Sequence, residues 1–584
     1  KMSQANFATI QPGHVYRSVL DRDPAKKLDI YPGTLNPVLV EEILPGDTIN
    51  LQLHAFGRWL TLINPIMDDM IIDLQAFFVP DRLVWENFER FIGTAAPGDA
   101  EELLIPWIYG TQGDGGTSYL ITKYSLADYL GLPADPNPEV GSGGVYIDSQ
   151  SYFFSSLVFR GIRRIWNEWY RAEYIQDEID VPLDDGPDLY EEINTIPPRN
   201  RRHDYFTSLL ATPQQGPDVV LPLGDTAPVF GWDGRSEVYG NGPLALTDLA
   251  NGGDIDFFLA GRFPNVGNQA RLFQAPGIAT SIPHVGDTGD PMFPSGEEPA
   301  RDVYMGVTGQ ATQSGLAAVA DVDGLYADLT GATAASINTI RQAAILQQYY
   351  EKVERGGSRY VEILRNVWKV ISPDFRLQRT EFLGSSMSRF SIHQIAQTAP
   401  TESSPLASLA ATASMTAHLS VHKSFVEHGH LIVLGSARAP LTYQNGVHRM
   451  WTRRTKFDRF IPGFEGLGEQ PVTNMELVFT GDPATDYGIL GYQERWSEYK
   501  YSQPQLVGDF RCSRSDPAYV GLNSWHMGLF FQSPVTLDVL VAEDVPWQRV
   551  SSNTTKPPLM LDVKGALRHV RPMPVKSIPG IDRF

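Results

Sequence analysis

The chain is poor in cysteine, in long apolar runs and in the signatures of catalysis. Cys512 is the single cysteine in 584 residues, which excludes an intrachain disulfide and any cysteine-rich zinc module. No apolar stretch approaches the ~18 residues of a membrane span, so none is expected. The first residues, Lys1-Met2-Ser3-Gln4, carry no apolar signal region, and secretion is not expected. Lysine is missing between Lys123 and Lys352. There is no phosphate-binding G-x-x-x-x-G-K-[ST] loop, no H-E-x-x-H and no G-x-S-x-G elbow. Basic residues are the minority: 47 Lys and Arg stand against 68 Asp and Glu, a net charge of −21. A protein coated in cations for generic nucleic-acid binding is thereby excluded.

What is present is glycine (52) and proline (43), with enough apolar residues (42%) for a core. The charge is uneven. Residues 211–340 hold fifteen acidic side chains and four arginines, a net of −11. Residues 545–584 hold Arg549, Lys556, Lys564, Arg568, Arg571, Lys576 and Arg583 against Asp562 and Asp582, a net of +5. An acidic middle and a basic end suit different partners, although a solvated acidic insertion would give the same middle.

Periodicity points to β-structure. Ile49, Leu51, Leu53 and Ala55 alternate with Thr48, Asn50, Gln52 and His54, the period of a half-buried strand. Ile72, Leu74, Ala76 and Phe78 repeat the device, and 38–44 is a shorter β-type run. Further strands are expected at 389–398, 416–426, 430–437, 473–480, 525–533 and 535–542. Residues 1–37 read as irregular. Helices are expected at 84–91, at 152–175, where the residues are apolar nearly all round, and at 336–355 and 358–368. Ser125 with Asp128 makes a capping box. Residues 213–335 show no sustained period, and so long a connection is an insertion or a small subdomain. Strand runs with Gly/Pro turns and no βαβ alternation predict a mainly β protein: one eight-stranded antiparallel jelly roll with long loop insertions and several helices.

Candidate sites are few. His428-Gly429-His430 would place two imidazoles on one strand face, but the rest of a cupin-type metal pattern is missing. Asp321, Asp323 and Asp328 resemble part of a calcium loop without its full spacing. Neither amounts to a metal site, no cofactor is expected, and Asp68-Asp69 and Asp184-Asp185 are not placed as acid/base pairs. Three basic clusters remain: Arg199, Arg201, Arg202 and His203; then Arg449, Arg453, Arg454, Lys456 and Arg459 with Trp451 and Phe457 among them; then the C-terminal residues. Cations interleaved with aromatics suit single-stranded nucleic acid. Ion pairing with the abundant carboxylates is the expectation for the first two clusters. The C-terminal residues lack acidic neighbours in sequence, which favours phosphate contact. The nucleic-acid-facing candidates are therefore Lys564, Arg568, Arg571, Lys576, Arg583, Arg453 and Arg454.

Long strings resemble one family. They include Glu42-Ile43-Leu44-Pro45-Gly46-Asp47-Thr48, Pro65-Ile66-Met67-Asp68-Asp69-Met70, Phe77-Phe78-Val79-Pro80-Asp81-Arg82 and Pro197-Pro198-Arg199-Asn200-Arg201-Arg202-His203-Asp204-Tyr205-Phe206. Arg355-Gly356-Gly357-Ser358-Arg359-Tyr360, Ser372-Pro373-Asp374-Phe375-Arg376 and Gly491-Tyr492-Gln493-Glu494-Arg495-Trp496 follow in order. The chain resembles the major capsid proteins of the Microviridae, in particular the gokushovirus-like branch, over 38–215 and 336–584. The resemblance implies a structural protein without catalytic residues, a homo-oligomer forming a T=1 icosahedral shell around the circular single-stranded DNA of a bacteriophage. It implies a jelly-roll core from 1–215 and 336–584. Residues 216–335 would be a surface insertion, a candidate threefold protrusion that contacts a host cell-surface receptor. Small basic DNA-binding proteins and minor virion proteins are the further partners implied, with assembly in the host cytoplasm. A jelly-roll enzyme, metal-dependent or acting on carbohydrate, and a trimeric adhesin are the rival readings.

Overall fold

The computed structural model describes residues 17–94, 103–111, 118–134, 146–149, 151–216, short strands within 217–336, and then 337–357, 359–398, 407–511, 522–531, 533–541 and 545–576. The chain divides into two compact units, Lys1–Gly216 with Tyr350–Phe584, and Pro217–Tyr349. The molecule is mainly β, with helices around antiparallel principal sheets.

In the first unit the strands of the two principal sheets are β1 (Ser18–Asp21), β2 (Ala25–Ile30), β3 (Asn36–Ile43), β4 (Thr48–Leu62), β5 (Ile71–Pro80), β6 (Glu381–Arg389), β7 (Ser391–Ala396), β8 (Leu409–Ser424), β9 (Gly429–Arg438) and β10 (Leu559–Arg571). One sheet is six-stranded, in the order β1-β10-β4-β8-β7, with β2 also paired to β10; the other has the order β6-β5-β9-β3. They enclose a common core. Ile49, Leu51, Leu53 and Ala55 of β4, Ala417, Leu419 and Val421 of β8, and Leu561, Val563 and Leu567 of β10 meet Ile72, Leu74, Ala76, Leu431 and Val433 from the facing sheet.

The two sheets differ on their other faces. In the four-stranded sheet, Phe77, Val79, Ile432 and Leu434 point away from the common core into a second one, built with Leu157, Phe159, Ile162 and Ile165 of helix α1 (Leu157–Ile165). Strand β5 is thus buried nearly throughout. The expected helix 152–175 is this element with a further turn at Trp166–Tyr170, and it is covered on most sides as its composition required. Inside it Arg160 is fully buried and bidentate to Asp188, with both contacts at 2.7 Å. The outer face of the six-stranded sheet is open. Along β4, Asn50, Gln52, His54, Phe56 and Arg58 are exposed while their neighbours are buried, a strict period of two.

Several expectations are corrected. Residues 1–37 contain β1 and β2. The run 473–480 is not a strand: Thr473 and Glu476 form a capping box that starts a short helix, Asn474–Leu477. Likewise 535–542 holds the helix Leu537–Val541, and 525–533 follows a 3-10 turn at Asn523–Trp525 with no strand among its described residues. Short apolar runs suit a buried turn of helix as well as a strand. The helix expected at 84–91 is replaced by single turns at Asp81–Leu83 and Arg90–Thr94. The helices α2 (Ile337–Gly356) and α3 (Tyr360–Asn366) stand where expected; Ser336 lies outside the described residues. Ser125 does cap Leu126–Tyr129, accepting from Asp128 N at 3.3 Å.

In the second unit Asp254–Arg262 pairs with Val303–Thr308 and, at its ends, with Leu246–Thr247 and Phe273–Gln274; Val229–Gly231 pairs with Leu325–Ala327. These strands gave no long period because most span only two or three residues.

Candidate nucleic-acid interface

The largest correction concerns the C-terminal basic residues. They do not form an unpaired tail. Leu559–Arg571 is an internal strand, hydrogen-bonded to β4 on one side and to β1 and β2 on the other. Leu559, Leu561, Val563 and Leu567 face the core, and His569 lies on the same side. That alternation is visible in the sequence and is the signal that a count of charges over 545–584 concealed.

The alternation sorts the cations. Lys564 and Arg568 fall on outward positions and are exposed. Lys564 lies 3.6 Å from Asp562, which also meets Lys27 at 3.1 Å; the hydrogen bond from Lys27 holds the Asp562 carboxyl below the usual carboxylate range. Arg568 stands opposite Asn50 of β4 and Asp21 of β1 and makes no ion pair among the described residues. Arg571 is different. Its Nε is 3.1 Å from Asp47 Oδ2, and its terminal nitrogen donates to the Glu42 carbonyl. Asp47 is fully buried and also holds His569 Nε2 at 2.8 Å. Arg571 therefore serves the fold, contrary to the premise that the tail has no acidic partners. Lys576 is exposed beyond the strand. Arg583 lies outside the described residues.

The register adds groups that the sequence did not single out. Lys564 is opposite His54, which is opposite His418, with the two imidazole rings 4.6 Å apart. Two outward rows along, Arg568, Asn50 and His422 align; two rows in the other direction Met560, Arg58 and Ser414 align. Cations, histidines, amides and hydroxyls thus share one open sheet face, because β4, β8 and β10 are in register there.

The second cluster divides in the same way. Arg449 reaches Glu476 at 3.1 Å, and Arg453 reaches Glu498 at 3.0 Å while lying 4.2 Å over the Tyr499 ring. Those two are consumed by the fold, as expected from ion pairing. Arg454, Lys456 and Arg459 are exposed, beside exposed Trp451, Phe457 and Phe460. Asp458 is the nearby carboxylate, and it accepts from the backbone N–H groups of Arg454 and Thr455 at 3.0 and 2.7 Å. Those bonds hold its carboxyl below the usual range. Exposed cations between aromatic faces match the geometry of single-strand stacking.

In the first cluster Arg199 lies 4.6 Å over Tyr170, Arg201 donates to the Leu540 carbonyl at 3.3 Å, and Arg202 approaches Met387 sulfur at 3.6 Å.

The metal alternatives gain no support. His430 Nδ1 lies 2.8 Å from Asp81, and His428 packs edge-on against Phe88 with ring centroids 5.6 Å apart. Gly429 between them approaches the Val79 carbonyl so closely that a Cβ would lie 2.3 Å from it. Among the described residues no three of His, Cys, Asp and Glu are grouped to hold an ion. Asp321 and Asp323 lie outside those residues. Among them too, no helix is long and apolar enough to cross a membrane.

Comparison with known proteins agrees with the resemblance read from the sequence. A family model described as capsid protein (F protein) matches residues 8–581. Capsid protein VP1 of Bdellovibrio phage phiMH2K is 35% identical, with 99% of this chain and 98% of that protein covered. Capsid protein VP1 of Chlamydia phage 1 is 34% identical over 99% and 98% of the two chains. Capsid protein VP1 of Spiroplasma virus 4 is 29% identical over the full length of both.

Proposed function

The chain belongs to the capsid protein (F protein) family and is a structural component of a phage virion, not an enzyme; on that premise we propose that it forms a T=1 icosahedral shell around single-stranded DNA, the open face of the six-stranded sheet lying toward the genome. The observation that carries the DNA assignment is the segregation of cations. Lys564, Arg568 and Arg58 project from one sheet face, with Arg454, Lys456 and Arg459 beside aromatics elsewhere in the unit. An overall acidic chain that keeps such cations exposed presents local sites for phosphate, and the aromatics add base stacking.

The core is a single jelly roll in this reading. Two antiparallel sheets around one core, with chain-distant strands adjacent in each sheet, support it. Residues 216–335, net acidic, act as the surface insertion and candidate threefold protrusion, and their contact with a host receptor follows from that placement. Small basic DNA-binding proteins and minor virion proteins complete the particle, and assembly occurs in the host cytoplasm.

Electron microscopy of the expressed protein tests the shell: closed small particles are expected, and isolated subunits or trimeric spikes would refute it. For the DNA face, Lys564→Glu with Arg568→Glu should reduce nuclease-protected DNA in particles and leave the subunit folded. Single-strand binding by the subunit should lose about 1.4 from its log-log salt slope, at roughly 0.7 per phosphate contact. Unchanged packaging and slope would remove this face from the genome. Arg571 is not part of the test, since its reversal would strike buried Asp47.

A further inference from the structure

Outside the sheets, residues 360–376 form an apolar ledge that is exposed among the described residues. Tyr360, Trp368, Val370, Ile371 and Phe375 are each more than half exposed, Ile371 at 84%. Contiguous exposed apolar surface of this kind marks a contact site on a soluble subunit. The chain is held in a specific shape to present it. Beyond helix α3, Val370 N–H donates back to the Leu364 carbonyl at 3.0 Å, with Lys369 at φ +58°. Glycine adopts a positive φ most readily. A lysine there is strained, and it stands exposed between Trp368 and Val370 in the chain. Arg365 and Arg376 are exposed as well, and none of the three cations has an ion pair among the described residues. The nearby carboxylates are engaged, Asp374 with Arg379 at 2.8 Å and Glu362 with Arg359 at 3.5 Å.

The complementary surface is on the same subunit. Residues 173–192 contain nine carboxylates and no basic residue. Some serve the fold, Asp188 above all, but Asp177, Asp180 and Glu192 are exposed. Between ledge and acidic segment lies a groove of about 600 Å³ whose lining is mixed, with Tyr360 and Ile179 among its apolar residues and Arg164, Arg171, Arg359 and Arg379 against Glu168, Glu178 and Asp180. Arg164 pairs with Glu168, Arg171 with Glu178, Arg359 with Glu173 and Arg379 with Asp374. One unit therefore carries an apolar-basic projection and, beside it, an acidic segment that leaves Asp177, Asp180 and Glu192 exposed.

We propose that the occupant of this surface is a second copy of the chain, the ledge of one copy seating on the exposed acidic segment 173–192 of its neighbour. The proposal rests on the shell-forming reading above and names one of its contacts. Apolar anchors would supply most of the affinity, and Arg365, Lys369 and Arg376 against Asp177, Asp180 and Glu192 would set register and exclude wrong pairings.

The test is assembly of the full chain, with wild-type shells as the reference; their absence would refute the shell reading and not bear on the ledge. Trp368→Asp and Ile371→Asp should lower shell yield at least about tenfold while the subunit keeps its circular dichroism and melting temperature. Arg365→Glu with Lys369→Glu should have the same effect, and adding Asp177→Lys with Asp180→Lys should restore shells. Normal assembly by the folded Trp368 and Ile371 variants would overturn the proposal, as would failure of the charge exchange to restore assembly.

Discussion

The two sheets of the sandwich share a core and differ in what lies behind them. The four-stranded sheet has helix α1 and its aromatic neighbours against its back, so β5 and β9 are apolar on both sides. The six-stranded sheet has nothing against its back among the described residues, and β4, β8 and β10 alternate strictly. Burial on both faces makes the first a scaffold whose every position carries packing. Burial on one face leaves the second free to vary its outward residues without cost to the core. Lys564, Arg568, Arg58, His54 and His418 stand exposed on that second sheet, on the face that stability does not constrain.

The sharpest way to break this contrast is behind the covered sheet. Asp188→Asn would leave the buried Arg160 guanidinium with only the exposed Asp184 carboxylate, at 3.2 Å, as a charged partner, and a loss of about 3–5 kcal/mol is expected, measurable by denaturant unfolding. Ile432→Ala, on the helix-facing side of β9, should cost about 2–4 kcal/mol through the cavity it leaves. A similar loss for both inward and outward positions of β4 would erase the distinction.

Within the open sheet itself, His569 is the inward-facing exception. Burial holds its imidazole below the usual range, and its Nδ1 is buried with no hydrogen-bond partner, so an added proton finds no acceptor. The folded protein therefore binds that proton less readily than the unfolded chain. Its contribution is complete above pH ~6.5 and declines as the pH falls. The stability difference between wild type and His569→Gln should narrow from pH 7.5 to 5.5, by at most about 1.4 kcal/mol per pH unit, as followed by thermal melts. The smallest effects belong to the outward face: Gln52→Ala and Arg568→Glu should each change stability by under about 0.5 kcal/mol, and only the second should weaken DNA binding.

Much of this contrast was legible beforehand. The alternation from Thr48 to Ala55 marked a strand with one dry face, and Asn50, Gln52 and His54 were already assigned to the wet one. The strings shared with capsid proteins were legible as well, because family membership is carried by local sequence. Strand β10 was equally periodic, yet its Gly565 and its charges hid it within a segment read by net charge. The runs near 475 and 537 were misread because four or five apolar residues do not distinguish a strand from a turn of helix.

By itself the sequence determined the family, the β class, the main strand periods and the places where cations concentrate, since each of these is a property of neighbours along the chain. Which cations are available was decided only by the tertiary structure. Arg568 and Arg571 are three residues apart on one strand, so they point to opposite faces, and one is exposed while the other lies on Asp47, brought there from more than five hundred residues away. Arg453 and Arg454 are adjacent, and Glu498 claims only the first. On a strand, side-chain direction reverses at every step, and in both places a charge is spent or spared by whichever distant carboxylate the fold sets beside it.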